Sequence, residues 1–365
     1  MHSHEEFVAL LNGHIEKMID AVLVDNEGQF RENQALYEAT VQGRDVKLCM
    51  HCGPCHDFDF NFGVLSRLTD ESMSLEEAER QLQAWKYATY ADMARTSISN
   101  PSGPIEFARS TFSTDLPMIY LDQNVISNAA KQEGLLNDML RLKEERKVQY
   151  VYSPAHLEEV HKIPDKEFGD RHLEVFTLLT DNATLHPGAG DQIELSAEEP
   201  IYALRRVEAT LPATEAVENI KILKNTDRKL HFARYETKEH RDEIANNKRV
   251  FESLPDDEFR HLMALAASSG DKNDFKGRST HSGILRAIYS LHNSLDLLSY
   301  KRERKEQQVR SSAHDVEHLI YASRCRFFVT EDGRLADRAK QIYAFMEFDV
   351  EVLTTEQFLA KLASS

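Results

Sequence analysis

Acidic side chains stand just after short apolar runs of this sequence, at points where β-strands would end. Asp122 follows Ile119-Tyr120-Leu121, and Asp332 follows Phe328-Val329-Thr330 after one intervening glutamate. Ligands of an open α/β sheet bind in the crevice at the carboxyl ends of its strands. Carboxylates gathered there supply the hard oxygen ligands that Mg²⁺ and Mn²⁺ prefer. The sequence therefore predicts a divalent-cation site suited to phosphodiester hydrolysis.

Glu159 is the third acid that we expect at this edge of the sheet. It lies shortly after the apolar run 148–152, behind the turn Ser153-Pro154, which fits the N-cap and first residue of a helix. Glu158 is a close rival for the same role. An ordinary exposed glutamate is the alternative interpretation of either residue.

Asp315 is the fourth acid, and it is expected on a helix. It shares one helical stripe with Leu319 and Ala322, which places it at the top of a face that packs on the sheet. The structural alternative is a helix cap, because Ser312-x-x-Asp315 is also a capping-box pattern. We expect the pocket position rather than the cap.

The two strand-end aspartates have structural alternatives as well. Asp332 precedes Gly333 and could form a plain β-turn, and Asp122 could cap the turn after its strand. An unpaired buried carboxylate at Asp122 would be unfavourable, and Asn124 adds a polar group at the same place. Thr330 could donate a hydrogen bond that orients a neighbouring carboxylate or the attacking water.

The order of apolar and amphipathic segments predicts an α/β fold whose central, mainly parallel sheet is flanked by helices. A capping box at 354–357 is expected before a last helix. The predicted strands are Met118–Leu121, 148–152, 326–330 and 349–353.

Two regions are expected along the chain. Residues 1–110 are predicted to be a mostly helical accessory region, separated by the turn-rich stretch 100–104 from a sheet domain at 111–365. Within the sheet domain, about 165–310 is predicted to be a helical insertion. Its loops are expected at 187–191 and 268–277, and its amphipathic helices at 216–247 and 284–298.

At the acidic segments the chain resembles the PIN-domain nucleases. The resemblance lies in Leu121-Asp122-Gln123-Asn124-Val125-Ile126, in Glu159 behind its Ser-Pro turn, in Asp315 with Ala322 seven positions later, and in Phe328-Val329-Thr330-Glu331-Asp332. These motifs cover residues 116–163 and 310–362, whereas the insertion and the N-terminal region lie outside the family pattern.

The resemblance implies a PIN-like fold and a metal-dependent endonuclease, with RNA favoured over DNA as substrate. Asp122 and Asp315 would be primary ligands of one or two Mg²⁺ or Mn²⁺ ions, and Glu159 and Asp332 would complete the cage. Water activated by the metal would attack, without a covalent intermediate. The long N-terminal region favours a larger effector nuclease, in stress response or antiviral defence, over a minimal toxin.

The net charge of −17 argues against general nucleic-acid binding, which depends on cationic surfaces. A nuclease of this composition needs a local basic patch. A solvated helix face with ion pairs is the alternative for that patch. The residues expected to contact nucleic acid are Asn124, Arg302, Arg304, Lys305 and Arg310.

Composition also bears on location and partners. No stretch approaches the ~20 apolar residues that span a bilayer, and the polar, acidic start predicts neither a signal peptide nor a transit peptide. A cytoplasmic protein without membrane partners is expected. The helical regions could bind a protein partner or a second copy of the chain.

Three of the four cysteines lie within one short segment, Cys49-Met50-His51-Cys52-Gly53-Pro54-Cys55-His56. A structural zinc site would use the three cysteines with His51 or His56. Cys52-Gly53-Pro54-Cys55 also matches the thioredoxin redox motif, and reduced, partly buried cysteines are the third interpretation. Besides the nuclease, two functions therefore stay open: a zinc or thiol sensor or redox protein, and an inactive PIN-like interaction scaffold.

Overall fold

The computed structural model describes residues 3–44, 46–49, 52–99, 108–210, 216, 238–266, 268–301 and 306–364. The chain folds as two compact units, an N-terminal unit at Met1–Thr89 and a C-terminal unit at Tyr90–Ser365. The division falls inside a helix rather than near residue 110. The linker predicted at 100–104 lies outside the described residues.

The N-terminal unit is built from helices, as expected. They are α1 (His4–Leu23), α2 (Glu27–Val41), α3 (Gly53–Thr69) and α4 (Leu75–Ser99), the last of which continues past Thr89. Ser3 and Glu6 begin α1 with a capping box. The apolar stripe of α1 packs on α3 in one core, which includes Val8, Leu11, Ile15, Val64, Leu65 and Leu68.

Strands occur in the C-terminal unit. They are β1 (Ser110–Thr111), β2 (Met118–Leu121), β3 (Gln149–Val151), β4 (Ala183–Pro187), β5 (Ile193–Ala197), β6 (Phe327–Val329) and β7 (Glu351–Leu353). Four of them form a parallel sheet in the order β3-β2-β6-β7. The four predicted strands are confirmed, and the chain is a mixed α/β protein that is mostly helical around a small parallel sheet.

The region predicted as a mostly helical insertion also contains a β-hairpin, which was not predicted. β4 and β5 pair antiparallel, and β1 adds to β5 to complete a second sheet. The expected loop at 187–191 is the turn of this hairpin, where Gly190 has a φ of 65°. A parallel bridge between Tyr152 and Thr184 connects β4 to the end of β3.

Helices cover both faces of the parallel sheet. They are α5 (Gln123–Lys131), α6 (Glu133–Arg146), α7 (Pro154–His161), α8 (Lys166–Thr180), α9 (Pro200–Ala209), α10 (Lys238–Ala245), α11 (Val250–Ser253), α12 (Asp256–Leu265), α13 (His281–Leu297), α14 (Glu306–Ala322), α15 (Gly333–Met346) and α16 (Thr355–Ser364). The helix predicted at 284–298 is α13, whereas most of the one predicted at 216–247 lies outside the described residues.

Alternate side chains of the strands enter two different cores. Tyr120 and Phe328 lie in a core with α13, α14 and α15, whereas Ile119, Leu121 and Val329 lie in a core with α5, α6 and α8. This alternation follows from the two-residue period of a strand, and burial on both faces explains why the strands are apolar throughout. Both cores fix the strand ends that carry the acids.

The caps that follow the strands agree with the sequence. Ser153 caps α7 with Pro154 in its first turn. Thr354 and Gln357 exchange hydrogen bonds of 3.1 and 3.3 Å ahead of α16, which confirms the predicted capping box. Among the described helices, none is both long and apolar enough to cross a lipid bilayer.

Candidate active site

Two strand-end aspartates cap the helices that follow them. Asp122 lies directly after β2, and its Oδ1 accepts a 2.9 Å hydrogen bond from the Gln123 backbone N–H in α5. Asp332 follows β6, and its Oδ1 accepts from Arg334 and Leu335 at the start of α15. β2 and β6 are adjacent parallel strands, so both carboxylates lie at one edge of the sheet. Both aspartates therefore act as helix N-caps.

Asp122 is 5% exposed, and side chains from two strand ends hold its second oxygen. Oδ2 accepts 2.6 Å hydrogen bonds from Thr330 Oγ1 and from Asn124 Nδ2. Thr330 Oγ1 also accepts from the Asp332 backbone N–H at 3.0 Å, and Asn124 Oδ1 accepts from the Glu331 backbone N–H at 3.2 Å. The expected hydrogen bond from Thr330 to a carboxylate is present.

Burial raises the pKa of Asp122 above its ordinary value, and the nearby charge of Glu159 adds to the rise. His318 and the hydrogen bond from Thr330 act in the opposite direction. The ionised form of Asp122 therefore depends on donors and positive charge around it.

Glu159 faces the pocket from α7, and a histidine lies between it and Asp122. His318 Nε2 is 3.0 Å from Glu159 Oε2 and 4.0 Å from Asp122 Oδ1. Glu158 instead pairs with His314 Nδ1 at 3.2 Å. Of the two rival glutamates, Glu159 is the one that the structure brings to Asp122.

Burial opposes the charge of both members of the His318–Glu159 pair. The hydrogen bond and the opposite charges outweigh burial, so the pKa of Glu159 is lowered and the pKa of His318 is raised. The two directions agree, and both favour an imidazolium beside a carboxylate. His318 was not predicted as a site residue.

A buried hydrogen-bond chain fixes His318 from its other side. His318 Nδ1 is 2.8 Å from the Tyr120 hydroxyl, which is 2.6 Å from Ser153 Oγ. An imidazolium donates through Nδ1, so Tyr120 accepts from it and can donate its own proton to Ser153. The chain links the pocket to the N-cap of α7, which is the helix that carries Glu159.

His156 completes this arrangement as a neutral group. Its Nδ1 accepts from the Ser153 backbone N–H at 3.0 Å, so its Nε2 carries the proton that is donated to the Leu121 carbonyl at 2.7 Å. Burial, reinforced by the charge of His318, holds the pKa of His156 well below its ordinary value. A neutral His156 ties α7 to the last residue of β2.

Asp315 lies in the middle of α14, three residues before His318. The helix begins at Glu306, so the capping-box alternative with Ser312 is wrong. Burial raises the pKa of Asp315 to about 8, and the negative charges of Asp122 and Glu159 contribute to that shift. The predicted acids therefore share one electrostatic environment, which we call the acid site and define as Asp122, Glu159, Asp315 and Asp332.

A second group of titratable side chains adjoins the acid site on α7 and α14. Glu158 contacts His314, whose Nε2 lies 2.7 Å from Lys162 Nζ. Burial raises the pKa of Glu317 to about 7, with Glu158 as the second cause. Sequence reasoning missed this group, although His314 and His318 recur at the i,i+4 spacing of one helix face.

The carboxylates of the acid site are spread more widely than a compact ligand cage. Within the described parts of the chain, they do not form a group whose ligand atoms all lie within 4.8 Å of one another. Like charges repel at short range, and His318 stands between two of them.

The predicted basic patch cannot be placed. Arg302, Arg304 and Lys305 lie outside the described residues, as does the side chain of Arg310. Lys301, at the start of this run, has its Nζ 3.2 Å from Asp337 Oδ2. The predicted role of Asn124 in binding nucleic acid stays a prediction, since its amide holds Asp122 and the loop after β6.

The N-terminal unit contains a different group, which we call the thiol cluster: His4, Cys49, Cys52 and Cys55. One ligand atom from each of the four lies within 4.8 Å of the other three, so the cluster could hold a metal ion such as zinc. The predicted histidine ligand was His56 or His51. The structure brings in His4 from α1 instead, while His56 lies exposed on α3 and His51 is outside the described residues.

The thiol cluster differs from a redox-active dithiol. Burial raises the pKa of the Cys52 thiol to about 11, whereas a redox thiolate requires a lowered pKa. The described elements before Tyr90 are helices, so the strand that precedes a thioredoxin motif is missing from that part of the chain. No disulfide joins any of the four cysteines.

Comparisons of the whole chain with known proteins were negative. No family model matches the chain, and neither a curated protein nor a solved structure does. Similarity to a known protein therefore identifies neither a family nor an activity. Function is therefore inferred from the chemistry of the acid site and of the thiol cluster.

Proposed function

We propose that the chain is a metal-dependent endonuclease that hydrolyses phosphodiester bonds at the acid site, with RNA preferred over DNA. The observation that carries the proposal is the convergence of acids from distant segments. Asp122 and Glu159 flank the same imidazole nitrogen at 4.0 and 3.0 Å. Burial, with the charges of Asp122 and Glu159 added to it, raises the pKa of Asp315 to about 8. The carboxyl ends of the strands are where an open α/β sheet binds its ligand.

The donor set fits Mg²⁺ or Mn²⁺. All the acids offer hard carboxylate oxygens, and the softer sulfur ligands lie in the N-terminal unit. Negative charge crowded at one place is unfavourable without a cation, and a divalent ion would relieve it. We assign Asp122 and Asp315 as primary ligands, with Glu159 and Asp332 acting directly or through water.

When bound, the metal would lower the pKa of a water ligand and stabilise charge on the attacking and leaving oxygens. The chain's own residues hold the pocket in place beforehand. Thr330 and Asn124 fix Asp122 Oδ2, and His318 fixes Glu159. Preorganised groups of this kind need little reorganisation during reaction.

The preference for RNA rests on the resemblance to PIN-domain nucleases. It does not rest on a contact in the structure. The chain's net charge of −17 means that substrate must be held locally. Asn124 at the pocket and the basic residues Arg302, Arg304, Lys305 and Arg310 are our candidates for that role.

Cleavage of labelled RNA and DNA, with and without Mn²⁺, tests the proposal. We expect Mn²⁺-dependent cleavage of RNA by the wild-type chain, and a loss of at least about 100-fold in Asp122→Asn and in Asp315→Asn. Asp115→Asn is a matched control, because Asp115 is exposed just before β2, away from the strand end. Its cleavage rate should equal that of the wild type.

One observation favours the inactive scaffold as a second candidate. His318 already places positive charge between Glu159 and Asp122, so the pocket is partly neutralised by the protein itself. If no RNA or DNA is cleaved and Mn²⁺ does not raise the melting temperature, the nuclease proposal is overturned. A folded scaffold that binds a protein through its helices would then be the better description.

A further inference from the structure

We propose that the thiol cluster binds one structural zinc ion, which joins the first turn of α1 to the N-terminus of α3. This inference does not depend on the nuclease proposal. It rests on the positions of four side chains in the N-terminal unit.

The distances suit a single tetrahedral ion. Zinc binds sulfur at about 2.3 Å and nitrogen at about 2.0–2.1 Å, so ligand atoms of a tetrahedral site lie about 3.5–3.8 Å apart. The ligand atoms of the cluster all lie within 4.8 Å of one another, and His4 Nε2 is 3.3 Å from Cys55 Sγ. Small side-chain adjustments would bring all four to zinc.

Local structure presents the sulfurs together. Cys52 is the N-cap of α3, and Pro54 lies in the first turn of that helix. The Cys55 backbone N–H donates to the Cys52 carbonyl at 3.1 Å, which closes a tight turn between them. Cys49 precedes Cys52 at the same spacing of three, and two-residue gaps between cysteines are typical of zinc sites.

The histidine comes from a separate helix, and packing keeps it there. His4 lies in the first turn of α1, directly after the capping residue Ser3. α1 and α3 pack through one apolar core, which also includes Cys52 and Cys55. The two thiols are 6% and 2% exposed. The site is therefore largely formed before any ion binds, and it is shielded from water on the thiol side.

The chemistry of the donors selects zinc over the ions expected at the acid site. Three thiolates with one imidazole form a soft set that is common in structural zinc sites and unsuited to Mg²⁺. A closed set of four protein ligands leaves no position for water, which indicates a structural rather than a catalytic ion.

Metal analysis of the purified full-length chain tests the inference. We expect about one zinc per chain in the wild type and less than about 0.1 in Cys52→Ser, Cys55→Ser and His4→Ala. His56→Ala is the matched control, since it removes a histidine next to Cys55 that the cluster does not use. It should retain the full zinc content.

Two measurements on the wild-type chain keep the test independent of variants that fail to fold. Cobalt added to the zinc-free chain should give the intense visible bands of a tetrahedral ion with thiolate charge transfer. Chelation should reduce hydrogen-exchange protection at the starts of α1 and α3 and leave β2 and β6 protected. Both readouts are separate from RNA cleavage, so either proposal can fail alone.

Three outcomes would overturn the inference. The first is a folded wild-type chain that carries no zinc and gives no thiolate band with cobalt. The second is a disulfide within the cluster in place of metal, detected by counting thiols. The third is zinc that survives His4→Ala but is lost in His56→Ala, which would assign a different ligand set.

Discussion

The acid site and the thiol cluster gather their candidate ligands by opposite routes. The acid site gathers carboxylates from the ends of β2 and β6 and from helices α7 and α14, which lie far apart in sequence. The thiol cluster takes three ligands from one short segment and a single histidine from α1. In this chain the carboxylates come together only when the whole parallel sheet has formed, whereas the thiol cluster needs only the start of α3 and the neighbouring helix α1.

The two sites also differ in how they manage charge without metal. At the acid site His318 pairs with Glu159, and burial together with the neighbouring negative charges raises the pKa of Asp315 to about 8. In the thiol cluster burial raises the pKa of the Cys52 thiol to about 11, which favours its neutral form until an ion binds. Without metal, the acid site therefore holds negative charges close together, whereas the thiol cluster does not.

Chelation followed by one metal at a time should separate the sites, and it should give the largest effect. Removal of all metal should lower RNA cleavage by at least about 1000-fold, since the ion supplies several kcal/mol of transition-state stabilisation. Mn²⁺ should then restore cleavage. One equivalent of zinc should restore hydrogen-exchange protection in α1 and α3 without restoring cleavage.

If one equivalent of zinc alone restored cleavage, the separation of a hard hydrolytic site from a soft structural site would be wrong. The hydrolytic metal would then belong to the thiol cluster. An untreated sample carried through the same buffer exchanges controls for loss of folded protein.

Two adjacent glutamates sharpen the assignment of the acid site. Glu159→Gln keeps the side-chain volume but removes the charge that pairs with His318, so we expect cleavage to fall about 100-fold. Glu158→Gln removes a charge that pairs with His314 instead, and it should change the rate by less than about 3-fold. Rates at saturating Mn²⁺ and RNA measure both. Equal losses of cleavage rate in the two variants would show that Glu158 also belongs to the acid site.

The parallel sheet could be predicted because its signals are local. Each strand is an apolar run with a cap residue after it, such as Asp122 after β2 and Ser153 after β3. The hairpin of β4 and β5 was missed because its strands carry polar residues, among them Thr184 and His186, and only its turn resembled a loop. Pairing partners decide such strands, and pairing is not local.

Sequence reasoning selected acids for the candidate site, such as Asp122 and Asp315, from their positions after strands and on a helical stripe. The contacts of His318 with Glu159 and Tyr120 exist only after folding, so that reasoning could not select His318. The sequence around a histidine on an apolar helical stripe does not indicate that it will pair with a distant glutamate. His4 was not predicted as a ligand for the same reason. It lies far from the cysteines in sequence and contacts them through packing of α1 on α3.

Charge crowding at the acid site predicts a pH-dependent gain in stability for Asp315→Asn. The folded state raises the pKa of Asp315 from 3.8 to about 8, so the folded chain binds a proton more tightly than the unfolded chain does. Stability is therefore lost as the pH rises through that interval, and the loss is complete above pH 8. Asp315 is intermediate in burial rather than fully buried. We therefore expect Asn to add about 3 kcal/mol at high pH, which is less than the free energy equivalent to the whole pKa shift.

Melting temperatures in chelator measure this gain. The advantage of Asp315→Asn over wild type should be larger at about pH 8.5 than at about pH 5. Mn²⁺ should reduce it, because the cation stabilises only the wild-type site. A destabilised variant at high pH would show that Asp315 is not under repulsion.

The smallest expected effect concerns Thr330, which holds Asp122 from the neighbouring strand end. Thr330→Val keeps the side-chain shape but removes the hydroxyl that donates to Asp122 Oδ2 at 2.6 Å and accepts from the Asp332 N–H at 3.0 Å. The loss should lower the free energy of unfolding by about 1–2 kcal/mol, because the buried Asp122 and the part-buried Asp332 N–H each lose a hydrogen bond. Thr330→Ser retains the hydroxyl and should keep most of that stability and of the cleavage rate. Urea unfolding compares the three chains, and a Ser variant as weak as Val would mean that the methyl group, rather than the hydrogen bond, holds this edge of the acid site.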